Sequence, residues 1–152
     1  MDGFDLESLS DVEAQCPGFQ ARATARALTR YYNACFKPLG LTAEQFSLLV
    51  GIGTAEGATL VELAHRAGVD PTTLSRNVRN LESQKLVYAQ GGRGRAGKQL
   101  ALTPSGRQLV VDAFPVWSAA KAELARRIGD RKLRSARQAM VELAKAAEPL
   151  NT

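Results

Sequence analysis

Apolar residues recur every three to four positions along most of the chain, which predicts a mainly helical fold. The first helix is expected at about residues 19–36, where a proline and a glycine follow it. Thr42 with Gln45, and Thr59 with Glu62, have the spacing of capping boxes, in which two side chains bond the free amides of a helix start. These pairs predict the starts of the second and third helices.

The third helix is followed by GVDPTTLSRNVRNLE (68–82), which reads as a turn and a new helix. Gly68 is suited to end one helix and Asp70 to cap the next, and Pro71 takes the first helical position, where its missing N–H is not needed. Two helices joined by such a tight turn form a helix-turn-helix. Apolar residues at spacings that can pack the two helices together are Leu60, Leu63, Ala64, Val69, Leu74, Val78 and Leu81.

Two short strands are predicted next, LVYAQ (86–90) and LALT (100–103). The segment between them, GGRGRAGK (91–98), is rich in glycine and carries three bases and no acid. Basic glycine-rich runs also occur in disordered RNA-binding tails. Because this run lies between two strands, we expect a β-hairpin beside the helix pair, a wing. The predicted fold class is therefore mainly α with a small β-hairpin wing (α+β).

Two long helices are predicted to complete the chain. Pro104 opens the first of them, and Pro115 is expected to kink it because the proline ring clashes with the preceding turn. The second, at about residues 130–147, places its apolar residues on one side. An amphipathic terminal helix needs a cover, and a second copy of the chain in a two-fold homodimer is the simplest one.

The outward face of the fourth helix has short hydrogen-bonding groups near its start and arginines farther along. A recognition helix places such residues against base edges in the major groove, where Arg favours guanine and Asn favours adenine. A solvated helix face usually carries Glu and Lys, and residues 72–80 contain neither. The predicted DNA-binding residues are Thr72, Thr73, Ser75, Arg76, Asn77 and Arg79 on the helix, and Arg93, Arg95 and Lys98 on the wing.

The charge distribution favours a polyanionic partner. The net charge is +5, but residues 1–15 hold five acids and no base, so the remainder has 20 bases against 10 acids. The acidic segment 1–15 is expected to be a mobile tail. No apolar run reaches the ~18 residues that span a bilayer, no signal-peptide pattern is present, and two cysteines are too few for a disulfide framework. A cytoplasmic protein without a membrane partner is therefore expected.

Enzymes and metalloproteins find little support in the residues. The single histidine, His65, and the two cysteines do not have metal-ligand spacing, and no glycine-rich phosphate loop precedes a helix. We expect no enzymatic activity and no cofactor. The other class of function is a winged helix that binds proteins, or that binds DNA without sequence preference. The Thr-, Ser- and Asn-rich face disfavours it, because non-specific binding needs only bases.

Three segments in family order and spacing resemble the MarR family of bacterial winged-helix transcriptional regulators: LTAEQFSLL (41–49), LVELAHRAGVDPTTLSRNVRNLESQKLV (60–87) and LALTPSGRQL (100–109). The resemblance covers roughly residues 19–147. It implies a symmetric homodimer that straddles double-stranded DNA at a pseudo-palindromic operator and acts as a repressor.

The domain organisation follows from the resemblance. Residues 16–40 and 104–152 would form the dimerisation helices, and residues 41–103 the DNA-binding domain. Many family wings brace the tip arginine with acids, and here Gly91 and Gly94 stand at both acid positions. The wing is therefore expected to be looser, and both Arg93 and Arg95 stay candidates for the minor-groove contact.

The resemblance implies two possible triggers for release of DNA. In one, a small aromatic or carboxylate effector binds between the dimerisation and winged domains. Candidate contacts for it are Arg22, Arg26, Tyr31, Tyr32 and Trp117. In the other, Cys16 near the start of the first helix is oxidised, with Tyr31 and Tyr32 as candidate partners. An inert thiol is the alternative to the oxidation of Cys16, and Cys35 is expected in the core.

Overall fold

A computed structural model describes residues 5–94 and 97–148, which form seven α-helices and a two-stranded antiparallel sheet. The elements are α1 (Glu7–Gln15), α2 (Pro17–Phe36), α3 (Ala43–Thr54), α4 (Leu60–Ala67), α5 (Pro71–Ser83), β1 (Val87–Gln90), β2 (Gln99–Leu102), α6 (Pro104–Ile128) and α7 (Asp130–Ala146). The predicted fold class, mainly α with a β-hairpin wing, is confirmed. Within the described part of the chain, no helix combines the length and apolar character that crossing a membrane requires.

The helix starts predicted from capping patterns are confirmed. Thr42 and Gln45 form a full capping box at α3, and Thr59 and Glu62 form another at α4. The carboxylate of Asp70 accepts hydrogen bonds from the backbone amides of the second and third residues of α5, at 3.0 and 3.2 Å. Each cap satisfies amides that have no carbonyl partner in the first helical turn.

The turn between α4 and α5 is closed by Gly68 in the left-handed conformation, with φ of +65°. Side chains from both helices then meet in the core, and six of the seven predicted packing residues are buried: Leu60, Leu63, Ala64, Leu74, Val78 and Leu81. Val69 is the exception, because it lies in the turn itself and is 41% exposed. The prediction that Val69 packs between the helices is therefore wrong.

The wing is tied to the helix pair through its second strand. β1 and β2 pair from Val87 with Leu102 to Gln90 with Gln99. The amide of Leu100 also donates to the carbonyl of Ala58, just before α4, at 3.0 Å. The hairpin is therefore hydrogen-bonded to the loop that leads into α4, the first helix of the helix-turn-helix.

The start of α6 closes the winged domain from the other side. The Thr103 side chain caps α6 and donates a hydrogen bond of 2.6 Å to the carbonyl of Lys85. A Cβ on Gly106 would lie 2.0 Å from the carbonyl oxygen of Leu86, so only glycine permits this approach. α6 continues through Pro115, so the proline does not end the helix.

Helix α2 joins the core only at its C-terminal end. Phe36 is buried and its ring lies 4.7 Å from that of Phe46. The side-chain oxygen of Asn33 accepts a hydrogen bond of 2.7 Å from the amide of Ala43 at the start of α3. This end of α2 is thereby fixed to the winged domain, and the rest of α2 extends beyond it.

The outer helices leave apolar side chains in solvent. The segment expected to be a mobile acidic tail forms α1 from residue 7, and all its residues are exposed. Neither α1 nor α7 has a buried residue. The outer helices are α1 with its N-cap residue, α2, α6 and α7, and their exposed large apolar residues are Leu6, Leu9, Val12, Phe19, Val111, Phe114, Ile128, Met140, Val141 and Leu143.

Candidate nucleic-acid interface and effector cavity

Helix α5 presents the polar face that the sequence predicts. Its three buried residues lie on one side. The predicted DNA-binding residues on the exposed side are Thr72, Thr73, Arg76, Asn77 and Arg79. Ser75 is half-buried, so it is less accessible than the others. The fold therefore brings five of the six predicted side chains of this helix to the surface together.

The side chains on this face have the hydrogen-bonding groups that recognition of nucleobase edges requires. Because Asp70 occupies the amides of Thr72 and Thr73, the start of α5 offers side chains rather than free N–H groups. Neither Arg76 nor Arg79 forms an ion pair with another described residue. Two free guanidinium groups and three short polar side chains can donate to guanine and adenine edges in a major groove.

The wing loop depends on its glycines. Gly91, Gly92 and Gly94 have φ near +65°, and a Cβ on Gly92 would lie 2.0 Å from the carbonyl oxygen of Gly97. Arg93 is exposed, whereas Lys98 is half-buried at the base of the hairpin. Arg95 lies outside the described residues. Arg93 is therefore the described wing residue best placed to meet a phosphate backbone or a groove.

A cleft of about 710 Å³ opens between α2, α3, α4 and α5. Its walls are mainly apolar, with Leu28, Leu48, Leu63 and Leu74 among them. Its polar groups are the side chains of Thr29, Tyr32, Glu44, Ser47, Arg66, Thr73 and Asn77. Thr73 and Asn77 belong to the same helix as the DNA-binding face, so a molecule in the cleft would contact the recognition helix directly.

The cleft includes one of the predicted effector contacts. Tyr32 lines it, and burial raises the pKa of the Tyr32 hydroxyl, which keeps it a neutral donor. Tyr31 instead donates a hydrogen bond of 2.8 Å to the carbonyl of Ala120. The ring of Trp117 lies 5.3 Å from that of Phe114 and carries Lys121 above it.

The predicted basic stripe also lies elsewhere, since Arg22 and Arg26 are exposed on α2 and do not line the cleft. Arg22, Arg26, Tyr31 and Trp117 therefore do not line this cleft, and their role as effector contacts stays a prediction. Sequence reasoning missed Arg66, which is the one base among the described residues that line the cleft. The position of Arg66 near the end of α4 can be read from the sequence, but only the tertiary packing shows that α2 and α3 lie around this side chain.

Cys16 occupies the N-cap position of α2, where its thiol is half-buried. A Cβ built on Gly18 would lie 3.8 Å from the Cys16 sulfur and 3.4 Å from Nη1 of Arg22. The Cys16 thiol and the Arg22 guanidinium therefore both lie beside Gly18 at the start of α2.

The tyrosines are too far from Cys16 to assist it within one chain. Tyr31 lies 15 residues along the same helix, which at ~1.5 Å per residue is about 22 Å. Within one chain, Tyr31 and Tyr32 therefore do not contact Cys16, and their role as its partners stays a prediction. Cys35 is half-buried beside Tyr31, and it is separated from Cys16 by nearly the whole helix.

Comparison with solved structures decides the family. The transcriptional regulator MosR of M. tuberculosis is 34% identical, matches 90% of this chain and 98% of its own, and superposes with a TM-score of 0.77. The chain belongs to the MarR family. The family model itself matches residues 39–96, from just before α3 to the wing loop.

Other MarR-family structures extend the comparison. MosR in complex with DNA is 33% identical, covers 89% of this chain and all of its own, and has a TM-score of 0.74. A MarR family protein of M. tuberculosis in complex with salicylic acid is 26% identical, covers 93% and 98%, and has a TM-score of 0.63. The comparison with curated proteins finds no match.

Proposed function

We propose that this MarR-family chain is a sequence-specific DNA-binding repressor that acts as a homodimer and is released from its operator by a small-molecule effector. The observation that carries the proposal is the exposed face of α5, where Arg76 and Arg79 form no ion pair with a described residue and lie beside short polar side chains. The MosR structure solved with DNA supports it, since MosR shares the fold and a third of its residues with this chain.

The homodimer follows from the exposed apolar residues of the outer helices. The DNA-binding face and the wing belong to the compact domain around the core, whereas α1 and α7 have no buried residue. Pairing two copies through these helices covers the apolar residues and presents two α5 helices to one duplex. Half-sites should then lie about 34–36 Å apart, one turn of DNA.

Fluorescence anisotropy on DNA from upstream of the protein's own gene tests the proposal. The protein should bind this DNA far more tightly than random DNA at the same salt concentration. Arg76→Ala should cost about 1–3 kcal/mol on the operator and reduce the preference for it, because a bidentate contact to guanine is lost.

Arg131→Ala, which removes a base from α7, is the matched control and should leave the operator preference unchanged. If Arg76→Ala weakens binding equally on all sequences, Arg76 contacts phosphate only. If the wild-type protein binds operator and random DNA equally, sequence-specific regulation is contradicted.

The effector proposed for the cleft is a small aromatic acid. A cleft of about 710 Å³ lies within the range of about 300–1,000 Å³ usual for small-molecule sites. Arg66 can pair with a carboxylate, and the leucine walls can hold a ring. Because Thr73 and Asn77 face the same space, occupancy would shift α5 and its DNA-binding face together.

Salicylate is a suitable probe, since a family member has been solved with salicylic acid. Isothermal titration should show binding that Arg66→Gln weakens and Arg131→Gln does not. Salicylate should also release wild-type protein from operator DNA. If salicylate binds equally well to Arg66→Gln, the carboxylate is not held in this cleft.

Oxidation of Cys16 is the second candidate trigger, supported by the position of Cys16 at the N-cap of α2 with Arg22 in the second turn of this helix. In this reaction the Cys16 thiolate attacks hydrogen peroxide: an S–O bond forms, the O–O bond breaks and hydroxide leaves, which gives a sulfenic acid, and the hydroxide takes up a proton from solvent to become water. Peroxide should then abolish operator binding in the wild type and not in Cys16→Ser. Equal behaviour of the two proteins would remove Cys16 from regulation.

A further inference from the structure

The cleft between α2, α3, α4 and α5 has one acid and one base among the described residues that line it. Glu44 lies in the first turn of α3, and Arg66 lies in the last turn of α4. Both residues are exposed, whereas Leu63 and Leu74 of the same lining are buried. The two opposite charges therefore lie at the mouth of the cleft, and its interior is apolar.

The two charged side chains do not neutralise each other. Neither Glu44 nor Arg66 forms an ion pair with another described residue. A charged side chain without a protein partner can form a charge-assisted hydrogen bond with a ligand group of opposite charge. The cleft therefore offers one position for an anionic group and a separate position for a cationic group.

Local interactions explain why both charges are stable without a partner side chain. An acid in the first turn of a helix and a base in the last turn each interact favourably with the helix dipole. The cap of α3 does not require Glu44, because Thr42 and Gln45 form the capping box there. The carboxylate of Glu44 is therefore available to accept a hydrogen bond from a ligand.

The size of the cleft favours a molecule that reaches both charges. Its volume of about 710 Å³ lies in the upper half of the range of about 300–1,000 Å³ that is usual for small-molecule sites. A benzoate ring held at Arg66 leaves part of this space empty, so a substituent on the ring can extend toward Glu44. The Glu44 carboxylate would repel a second acidic group at that end of the ligand and attract an ammonium group.

We infer that the effector is a zwitterionic aromatic compound, whose carboxylate pairs with Arg66 and whose ammonium group pairs with Glu44. The inference rests on the proposed effector role of the cleft and adds Glu44 as the residue that determines ligand specificity. Such a ligand joins α3 to the end of α4, where Arg66 lies two residues before Gly68 in the turn to α5. It therefore restricts how the recognition helix can move relative to α3.

Two ring compounds that differ only in the group farthest from the carboxylate test the inference. 4-(Aminomethyl)benzoate carries an ammonium group at neutral pH, and 4-ethylbenzoate has a methyl group of similar size in its place. Isothermal titration of the wild-type protein should show that 4-(aminomethyl)benzoate binds about fivefold more tightly, as expected for one contact between partly exposed charges.

Substitutions identify the carboxylate that is responsible for this preference. Glu44→Gln should remove the preference for 4-(aminomethyl)benzoate and leave the Kd of 4-ethylbenzoate nearly unchanged. Arg66→Gln should weaken both compounds, because both present the same carboxylate. Glu7→Gln, at an exposed acid in the first turn of α1, is the matched control and should change neither Kd.

Charge reversal at Glu44 provides a second test that does not depend on a loss of binding. The wild-type protein should bind 4-(aminomethyl)benzoate more tightly than 4-(carboxymethyl)benzoate, which has a second carboxylate. Glu44→Lys should reverse this order, because the lysine attracts the second carboxylate and repels the ammonium group. A loss of fold cannot reverse the order of two ligands, since unfolding weakens the binding of both.

The outcomes separate the inference from the proposed function. Equal binding of 4-(aminomethyl)benzoate and 4-ethylbenzoate, or a preference that Glu44→Gln retains, contradicts the inference alone. If the wild-type protein binds neither salicylate nor any of these compounds, the effector role of the cleft is contradicted as well. If 4-(aminomethyl)benzoate binds with the expected preference but does not release operator DNA, the role of Glu44 is supported and release by occupancy of the cleft is contradicted.

Discussion

The winged domain and the outer helices differ in how their apolar residues are covered. The large buried side chains lie between Phe36 and Leu102, and none of the described residues of α1 or α7 is buried. The winged domain therefore contains its own core. The outer helices leave apolar side chains exposed, which a second copy would cover in the proposed homodimer.

The recognition helix is held rigid within a single chain, whereas the arrangement of two such helices would depend on assembly of the proposed homodimer. The recognition helix is packed from behind by Leu74, Val78 and Leu81, so its DNA-binding face is prepared within one chain. In the proposed homodimer, the outer helices would set the distance between two such faces. DNA recognition and dimer geometry would thus depend on separate sets of contacts.

The largest predicted effect compares leucines from the two regions. Leu49→Ala should lower the free energy of unfolding by about 2–5 kcal/mol, because Leu49 is fully buried in the winged domain and its loss leaves a cavity. Leu143→Ala, at a residue that is 52% exposed, should matter little in dilute protein and more as concentration rises. Urea unfolding at two protein concentrations measures both.

A cost for Leu143→Ala that does not change with concentration would contradict the comparison. It would mean that α7 is stabilised within its own chain. A small cost for Leu49→Ala would show that the winged core can collapse around the missing side chain.

An intermediate effect is expected from the cap of the recognition helix. Asp70→Ala should destabilise the protein by about 0.5–2 kcal/mol, because two amides at the start of α5 lose their acceptor. Asp70→Asn is the matched control and should retain most of the stability, since its amide oxygen can accept the same bonds. Thermal unfolding of the two variants measures the difference, and equal losses would show that charge rather than capping matters.

The smallest effect is electrostatic and belongs to the outer helices. Hydrogen bonds from Arg126 and Arg127 lower the pKa of Glu123 from 4.5 to about 2. A carboxyl with a lowered folded-state pKa contributes stability that is complete above 4.5 and is lost as the pH falls through about 2. Glu123→Gln should therefore matter slightly at pH 7 and not at pH 2.

NMR titration of the Glu123 side chain checks the cause of this effect. A midpoint near the ordinary value would contradict the arginine contacts. Because the group is exposed to solvent, the effect should also fade with added salt.

Sequence patterns correctly predicted the features that depend on interactions between residues close in the chain. Thr42, Thr59 and Asp70 cap their helices as expected, because a cap bonds amides only two or three residues away. The hairpin and the buried side of α5 were predictable for the same reason, since alternation and helical spacing reflect one buried face. The burial of Val69 was predicted wrongly, because it depends on the direction in which the turn points this side chain and not on helical spacing.

The winged fold, the family resemblance and the polar face of α5 could be predicted from the sequence alone, since each depends on residues that are close in the chain. The cleft could be found only in the tertiary structure. Arg66, Tyr32 and Asn77 come from three helices, and no spacing along the chain shows that they line one space. The tertiary structure also showed that residues 7–15 form a helix with Leu9 and Val12 exposed, because solvent exposure is a property of packing and not of sequence pattern.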